Sequence, residues 1–206
     1  MSTSPPFPNL KKKMKHPVFS VPLTALIMTC VLIACGGAPK QSKCSVEVYS
    51  PEKKYTEAVL LDSKGAVIDS TLRVANDSIR FERNDTASMP YVATLRLHNP
   101  SDSLDVVLMP IVIEGGTVCL ELTDRIDLSG TDDNEKLFKF LKAKNSFTSK
   151  YENEGHDVNK LKEDYSRFFA DQIILYKGSV VSDYISATYG SFLTREDNDR
   201  VKERMK

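Results

Sequence analysis

The 206-residue chain has no tryptophan, only three histidines and only four cysteines. Without tryptophan a favoured stacking platform for sugars is missing, which disfavours surface glycan binding and leaves tyrosine and phenylalanine for that role. A zinc site wants three or four ligands at recognisable spacing. Beyond residue 34 only His98, at a strand end, and His156, in a glycine-flanked loop, are available, and both read as surface residues. No Cys-x-x-Cys occurs, so thiol–disulfide catalysis by this chain alone is excluded. There is also no Gly-x-Ser-x-Gly elbow, phosphate-cradling glycine loop or dinucleotide fingerprint. Thr131-Asp132-Asp133-Asn134-Glu135 offers the oxygen ligands of a calcium loop but lacks its glycine and distal glutamate, so it reads as a helix cap. Carboxylates abound, yet none is placed by sequence in an apolar pocket that would split a pair of pKa values. These absences predict no cofactor, no metal and no catalytic set.

Net charge is also absent, but its distribution is uneven. Lys11, Lys12, Lys13 and Lys15 lie ahead of an uncharged stretch over residues 17–39, and residues 1–34 hold no acid. This is the order of a secretory leader: a positive n-region, an apolar h-region over residues 18–33, then small Ala34 before a cysteine. Leu32-Ile33-Ala34-Cys35 has the form of a lipobox, with cleavage between Ala34 and Cys35 and lipidation of the Cys35 sulfur. Cys30, behind Ile27-Met28-Thr29, fits such a cut less well, and Met14 to Ala34 is by itself a complete leader, so Met14 is a second candidate start. An uncleaved transmembrane helix is the competing reading, weakened by Pro22 and the Gly36-Gly37 pair. Each buried acyl methylene contributes about 0.8 kcal/mol, so two or three chains hold a protein to a bilayer far better than one. The leader takes four of the 28 basic side chains and none of the 28 acidic ones, so the mature chain is net acidic by four and repels a phosphate backbone. The partners expected are a lipid bilayer, through the acylated cysteine, and a periplasmic protein, but not nucleic acid.

The chain therefore divides into a leader (1–34), a lipidated tether rich in small and polar residues (35–43), a strand-rich unit (44–130) and a helical region (131–206). In the strand-rich unit Val46 and Val48, Ile79 and Phe81, and Tyr91, Ala93, Leu95 and Leu97 each alternate with polar neighbours. Ser63-Lys64-Gly65, Asn76-Asp77 and Asn99-Pro100-Ser101-Asp102 punctuate as turns. The longest apolar run, 104–114, contains Pro110, which predicts a bend or bulge. Gly115-Gly116 reads as a hairpin turn into Val118, Leu120 and Leu122. Seven or eight such strands predict an antiparallel β-sandwich or open barrel, and with the helices an α+β fold.

In the helical region Asp132 with Glu135 reads as a capping box for a helix whose stripe is Leu137, Phe140, Leu141, Lys144 and Phe147. Gly155 separates it from a second helix, with Leu161, Tyr165, Phe168, Phe169, Ile173 and Tyr176 on one face, which stops at Gly178. A third helix covers 180–189, and Thr194 with Asp197 starts a fourth. The aromatic stripe reads as core before it reads as a ligand groove. Acids and bases over 131–206 balance at 14 each, a solvated surface and not a basic effector face.

With Cys30 in the leader and Cys35 lipidated, Cys44 and Cys119 remain as a candidate disulfide in an extracytoplasmic compartment. Closing so long a loop would stabilise the fold by about 4 kcal/mol. Against the pairing, alternation sets Cys44 on the apolar face with Val46 and Val48, but Cys119 on the polar face with Glu121.

Several stretches carry a resemblance. They are Ala58-Val59-Leu60-Leu61-Asp62, Ile68-Asp69-Ser70-Thr71-Leu72, Ser78-Ile79-Arg80-Phe81, Ile111-Val112-Ile113-Glu114-Gly115-Gly116, and Asp127-Leu128-Ser129-Gly130-Thr131 with Asn134. Over about residues 44–206 the chain resembles a Bacteroidota lipoprotein family in which a domain of unknown function precedes a thioredoxin-like domain of the alkyl hydroperoxide reductase and thiol-specific antioxidant group. The sequence reaches Lys206, about where that second domain would begin, so the resemblance carries over no redox residue, and the expectation is a stand-alone relative or a gene that has lost its catalytic half. Surface lipoproteins of that phylum carry acids just after the lipidated cysteine, whereas here Lys40 and Lys43 follow it. That implies an envelope lipoprotein facing the periplasm, on the outer rather than the inner membrane. The expected role is a non-enzymatic binding or scaffold domain; the alternative is an accessory subunit of a separate thioredoxin-like enzyme, in redox contact through Cys44 or Cys119. Mass spectrometry of the membrane fraction tests the anchor: the mature N-terminus is expected to be an acylated Cys35, and an unmodified Cys35 would refute it.

Overall fold

A computed structural model describes residues 43–51, 55–72, 78–84, 89–151 and 157–206. The leader and most of the tether, with Cys30, Ala34 and Cys35, lie outside the described residues, as do Asn76, Asp77, Gly155 and His156. None of the described helices is long and apolar enough to cross a membrane.

The period-two segments fold as eight strands: β1 (Cys44–Tyr49), β2 (Glu57–Leu61), β3 (Val67–Leu72), β4 (Ser78–Arg83), β5 (Tyr91–Asn99), β6 (Asp102–Ile113), β7 (Gly116–Leu122) and β8 (Ile126–Ser129). They form two four-stranded sheets, ordered β4-β1-β7-β8 and β3-β2-β5-β6. Val46, Val48, Phe81 and Leu120 of the first sheet meet Leu60, Leu95, Leu97 and Ile111 of the second in one buried core. Alternation demands this arrangement, because one face of each sheet is apolar and only a second such face removes it from water. Of the two expected β architectures, the structure is the sandwich.

Four local expectations are corrected. Gly115-Gly116 is not a hairpin turn, because β6 and β7 belong to different sheets. The glycine pair instead carries the chain across the sandwich, Gly116 taking a φ of 126° that a side chain would resist. β7 then pairs in parallel with β1, so the first sheet is mixed and only the second is wholly antiparallel. Pro110 makes no bulge: β5 and β6 stay in register from Tyr91↔Ile113 to His98↔Val106, and the shift falls at His98/Asn99. Finally, β8 is a strand that so short a run (Ile126–Ser129) did not signal.

Four helices follow: α1 (Asp132–Thr148), α2 (Val158–Leu175), α3 (Val180–Tyr189) and, after a 3₁₀ turn, α4 (Arg195–Met205). At the start of α4 the Asp197 N–H donates to Thr194 Oγ1 as the sequence suggests. The aromatic stripe of α2 is core: Phe169 stacks on Tyr189 at 4.4 Å and Phe168 on Phe147 at 4.4 Å. Phe140, Phe169, Ile173, Val181 and Ile185 form a second buried cluster. Fully burying each such side chain stabilises by about 1.5–3 kcal/mol.

The two cores meet along β5, β6 and α1, where Val92 and Leu141 pack beside a polar junction. Val112, on the outer face of β6, belongs to the helical cluster, and β6 is the edge strand of its sheet. The Val112 N–H donates to Asn134 Oδ1 and Asn134 Nδ2 donates to the Val112 carbonyl, both at 2.8 Å. Asn134 is 0% exposed, so its amide stands in for the missing neighbour strand. This overturns the Asp132–Glu135 capping box. The N-cap is Thr131, whose Oγ1 accepts from Asn134 Nδ2, while the Asp133 N–H is met by Glu114 Oε1 from the end of β6. Gly130 lies so close to β7 that a Cβ there would collide with the Thr117 carbonyl oxygen.

Replacing Asn134 by leucine keeps the volume and orphans two buried backbone groups. Each costs about 1–3 kcal/mol, so Asn134→Leu is expected to lower the urea midpoint clearly, and a wild-type midpoint would refute the role. Gly130→Ala is expected to be at least as damaging.

Candidate functional site

Two clefts among the described residues are of about 480 Å³ or more. The larger, about 650 Å³, lies between α2 and α4. Its walls are mostly charged, and three of those charges satisfy one another: Arg200 pairs with Asp171 at 2.6 Å and with Asp197 at 2.9 Å. Buried Ser166 donates to Asp197 and receives the Thr194 N–H at 2.7 Å. Burial alone would raise the Asp197 carboxyl, but the hydrogen bonds from Ser166, Arg200 and Thr194 and the charge of Arg200 hold it below the usual carboxylate range. The cleft is a clamp between helices.

The second, about 480 Å³, opens between the sandwich and the helices. Leu108, Met109 and Pro110 come from β6, Ile126 from β8, Phe138, Leu141 and Asn145 from α1, and Tyr184 and Tyr189 from α3. Its position follows from the Asn134 junction, which fastens the start of α1 beside β6 and leaves the rest of that edge separated from the helix. Lys142 and Lys144 stand on the two sides of the α1 stripe that floors it. The Lys142 ammonium lies 4.6 Å from the Phe138 ring centre. That of Lys144 lies 5.6 Å from the Tyr189 ring centre and donates to its hydroxyl at 3.4 Å. Neither lysine is ion-paired with a carboxylate among the described residues. Burial, and then the neighbouring Tyr189, push the Tyr184 phenol far above its ordinary range, so it stays neutral at physiological pH. The groove thus offers apolar walls, tyrosine hydroxyls and two cations without a carboxylate partner among the described residues, the mix that small binding sites use.

The residues singled out by sequence lie elsewhere. Cys44 is buried in the sandwich core, and Cys119 is on the opposite face of its sheet, across from Glu47 on β1. The candidate disulfide is not formed. In the β1–β7 register Cys44 is opposite Gly116, three residues from Cys119, and no bond reaches through the sheet. His98 lies across from Glu57, its Nδ1 3.8 Å from the carboxylate, in an ordinary cross-strand pair. The oxygen-rich segment around Asp132 is spent on the fold: Asp133 holds Lys136 at 2.6 Å, and Asn134 turns inward. No cluster of three or more potential metal ligands occurs among the described residues. No spacing rule could have assembled the groove, because its walls come from four separate elements. Among the stripe residues, Leu141 and Lys144 were the only advance signal.

Burial first, then Glu47 and Glu121, push the Cys119 thiol up. Its thiolate fraction at neutral pH is therefore below that of an ordinary cysteine, and alkylation by iodoacetamide is expected to be slow and to accelerate only above the usual thiol range. Glu47→Gln with Glu121→Gln should move that profile to lower pH, and a fast wild-type rate at pH 7 would contradict the environment described. No protein-family model matches the chain, and no curated protein matches it.

Proposed function

We propose that this protein is a lipid-anchored periplasmic lipoprotein of the outer membrane, and that its sandwich-and-helix unit is a non-enzymatic binding or scaffold domain. The observation that carries the binding role is the groove between β6, β8, α1 and α3. It is apolar in its walls, and it keeps two lysines whose charges no described carboxylate neutralises. Apolar surface left beside such charges is available to something outside the fold. The anchor is supported by the lipobox at Cys35. The accessory-subunit reading is weaker, because Cys44 is buried and the Cys119 thiol is pushed up.

A photo-crosslinking residue placed at Leu108 in intact cells, with one at exposed Val158 as control, tests the role. The expected result is a discrete species captured from Leu108 only. Purified, that species should bind the wild-type chain reversibly and lose at least tenfold in affinity with Lys142→Glu, Lys144→Glu. Identical capture from both positions would overturn the reading. So would turnover of any substrate by the purified protein that a single substitution abolishes.

A further inference from the structure

The backbone of β6 specifies what kind of partner the groove takes. Both polar groups of Val112 point away from β5, toward Asn134. Along a strand the direction of these groups alternates residue by residue. The register with β5 is unbroken as far back as Val106. The N–H and C=O of Leu108 and Val106 therefore point to the same open side, as does the carbonyl of Pro110. Pro110 has no N–H to lose there, which is why it fits without a bulge. Leu108 is 62% exposed and Val106 39%, and neither has another hydrogen-bonding partner among the described residues.

The sandwich's opposite side is treated differently. There Arg83 of β4 reaches across to the Ile68 carbonyl of β3 at 2.9 Å and to Asp69, tying the two edges together. On the β6 side the edge is closed at Val112 by Asn134 and then left open beside the lysine-rimmed groove.

We infer that an extended segment of a protein partner adds to β6 at Val106–Pro110 as a fifth strand of the second sheet, with apolar side chains alternating with carboxylates. This rests on the groove being the binding surface. The open backbone supplies ladder hydrogen bonds, Leu141 and Ile126 supply the apolar floor, and Lys142 and Lys144 select acidic over basic sequences. A helical partner or an isolated amphiphile would use the walls and leave the backbone unpaired.

The probe is a blocked octapeptide of alternating valine and glutamate, compared with its valine–lysine counterpart and with a fully N-methylated valine–glutamate analogue. The expected result for the full chain is saturable binding of the valine–glutamate peptide, with slowed amide hydrogen exchange at Val106 and Leu108. Affinity should fall at least tenfold for the lysine peptide and for the N-methylated one. Lys142→Glu, Lys144→Glu should reverse the preference. Leu108→Pro removes the outward donor together with the leucine side chain and should abolish binding; the N-methylated peptide isolates the backbone contribution on the wild-type chain. Equal binding of the N-methylated peptide, or binding without protection at Val106 and Leu108, overturns strand addition while leaving the groove as a binding surface. Absence of binding by the valine–glutamate peptide at millimolar concentration also overturns it.

Discussion

A strand at the edge of a sheet cannot be buried unless something answers its outward N–H and C=O groups. In this protein Asn134 gives that answer at Val112, donating and accepting as a neighbouring strand would. Because the amide sits in the first turn of α1, the bond that closes the edge also fixes where the helical layer begins. Thr131 orients the amide, Glu114 caps the helix from the strand side, and Gly130 lets the chain pass against Thr117. The sandwich core and the helical core touch through Val112 and Leu141, and the Asn134 amide sets where they do so. Hydrophobic burial supplies most of the driving force, but it is non-directional and would not choose this docking.

The same constraint accounts for the open part of the structure. Each exposed edge of a sandwich needs protection, and the devices seen are Arg83 bridging β4 to β3, Pro110 lacking a donor, and Asn134 capping Val112. Between Pro110 and Val106 protection lapses, and there the surface is apolar and flanked by Lys142 and Lys144. The acid–base clamp of Asp171, Asp197 and Arg200 is the contrasting case: its charges are close enough to consume one another. A cleft lined with mutually paired charges is a way of holding helices, whereas unpaired cations beside an open edge are available for association.

Much of this was legible from residue order. Alternation at Val46, Phe81 and Leu95 marked the buried face of each strand, and the stripe from Leu161 to Ile173 marked the inner face of α2. The stretches Ile111–Gly116 and Gly130-Thr131-x-x-Asn134 stood out before they had a mechanism, and their physical content is the Val112–Asn134 junction. Alternation also argued against the Cys44–Cys119 bond, since it put the two thiols on opposite faces. It could not say which strands are partners, because periodicity reports a face and not a neighbour. Gly115-Gly116 therefore read as a hairpin, although β7 leaves for the other sheet and lies parallel to β1.

The division into strand and helical halves and the inward face of each element are local properties, set by the order of apolar, polar and turn-forming residues. The strand order, the capture of Asn134 by a distant edge and the meeting of Leu108, Ile126, Leu141 and Tyr189 around one groove depend on contacts far apart in the chain. Those contacts form only when two sheets and four helices pack together, because burial requires that apolar faces be covered while directional hydrogen bonds decide which cover is accepted.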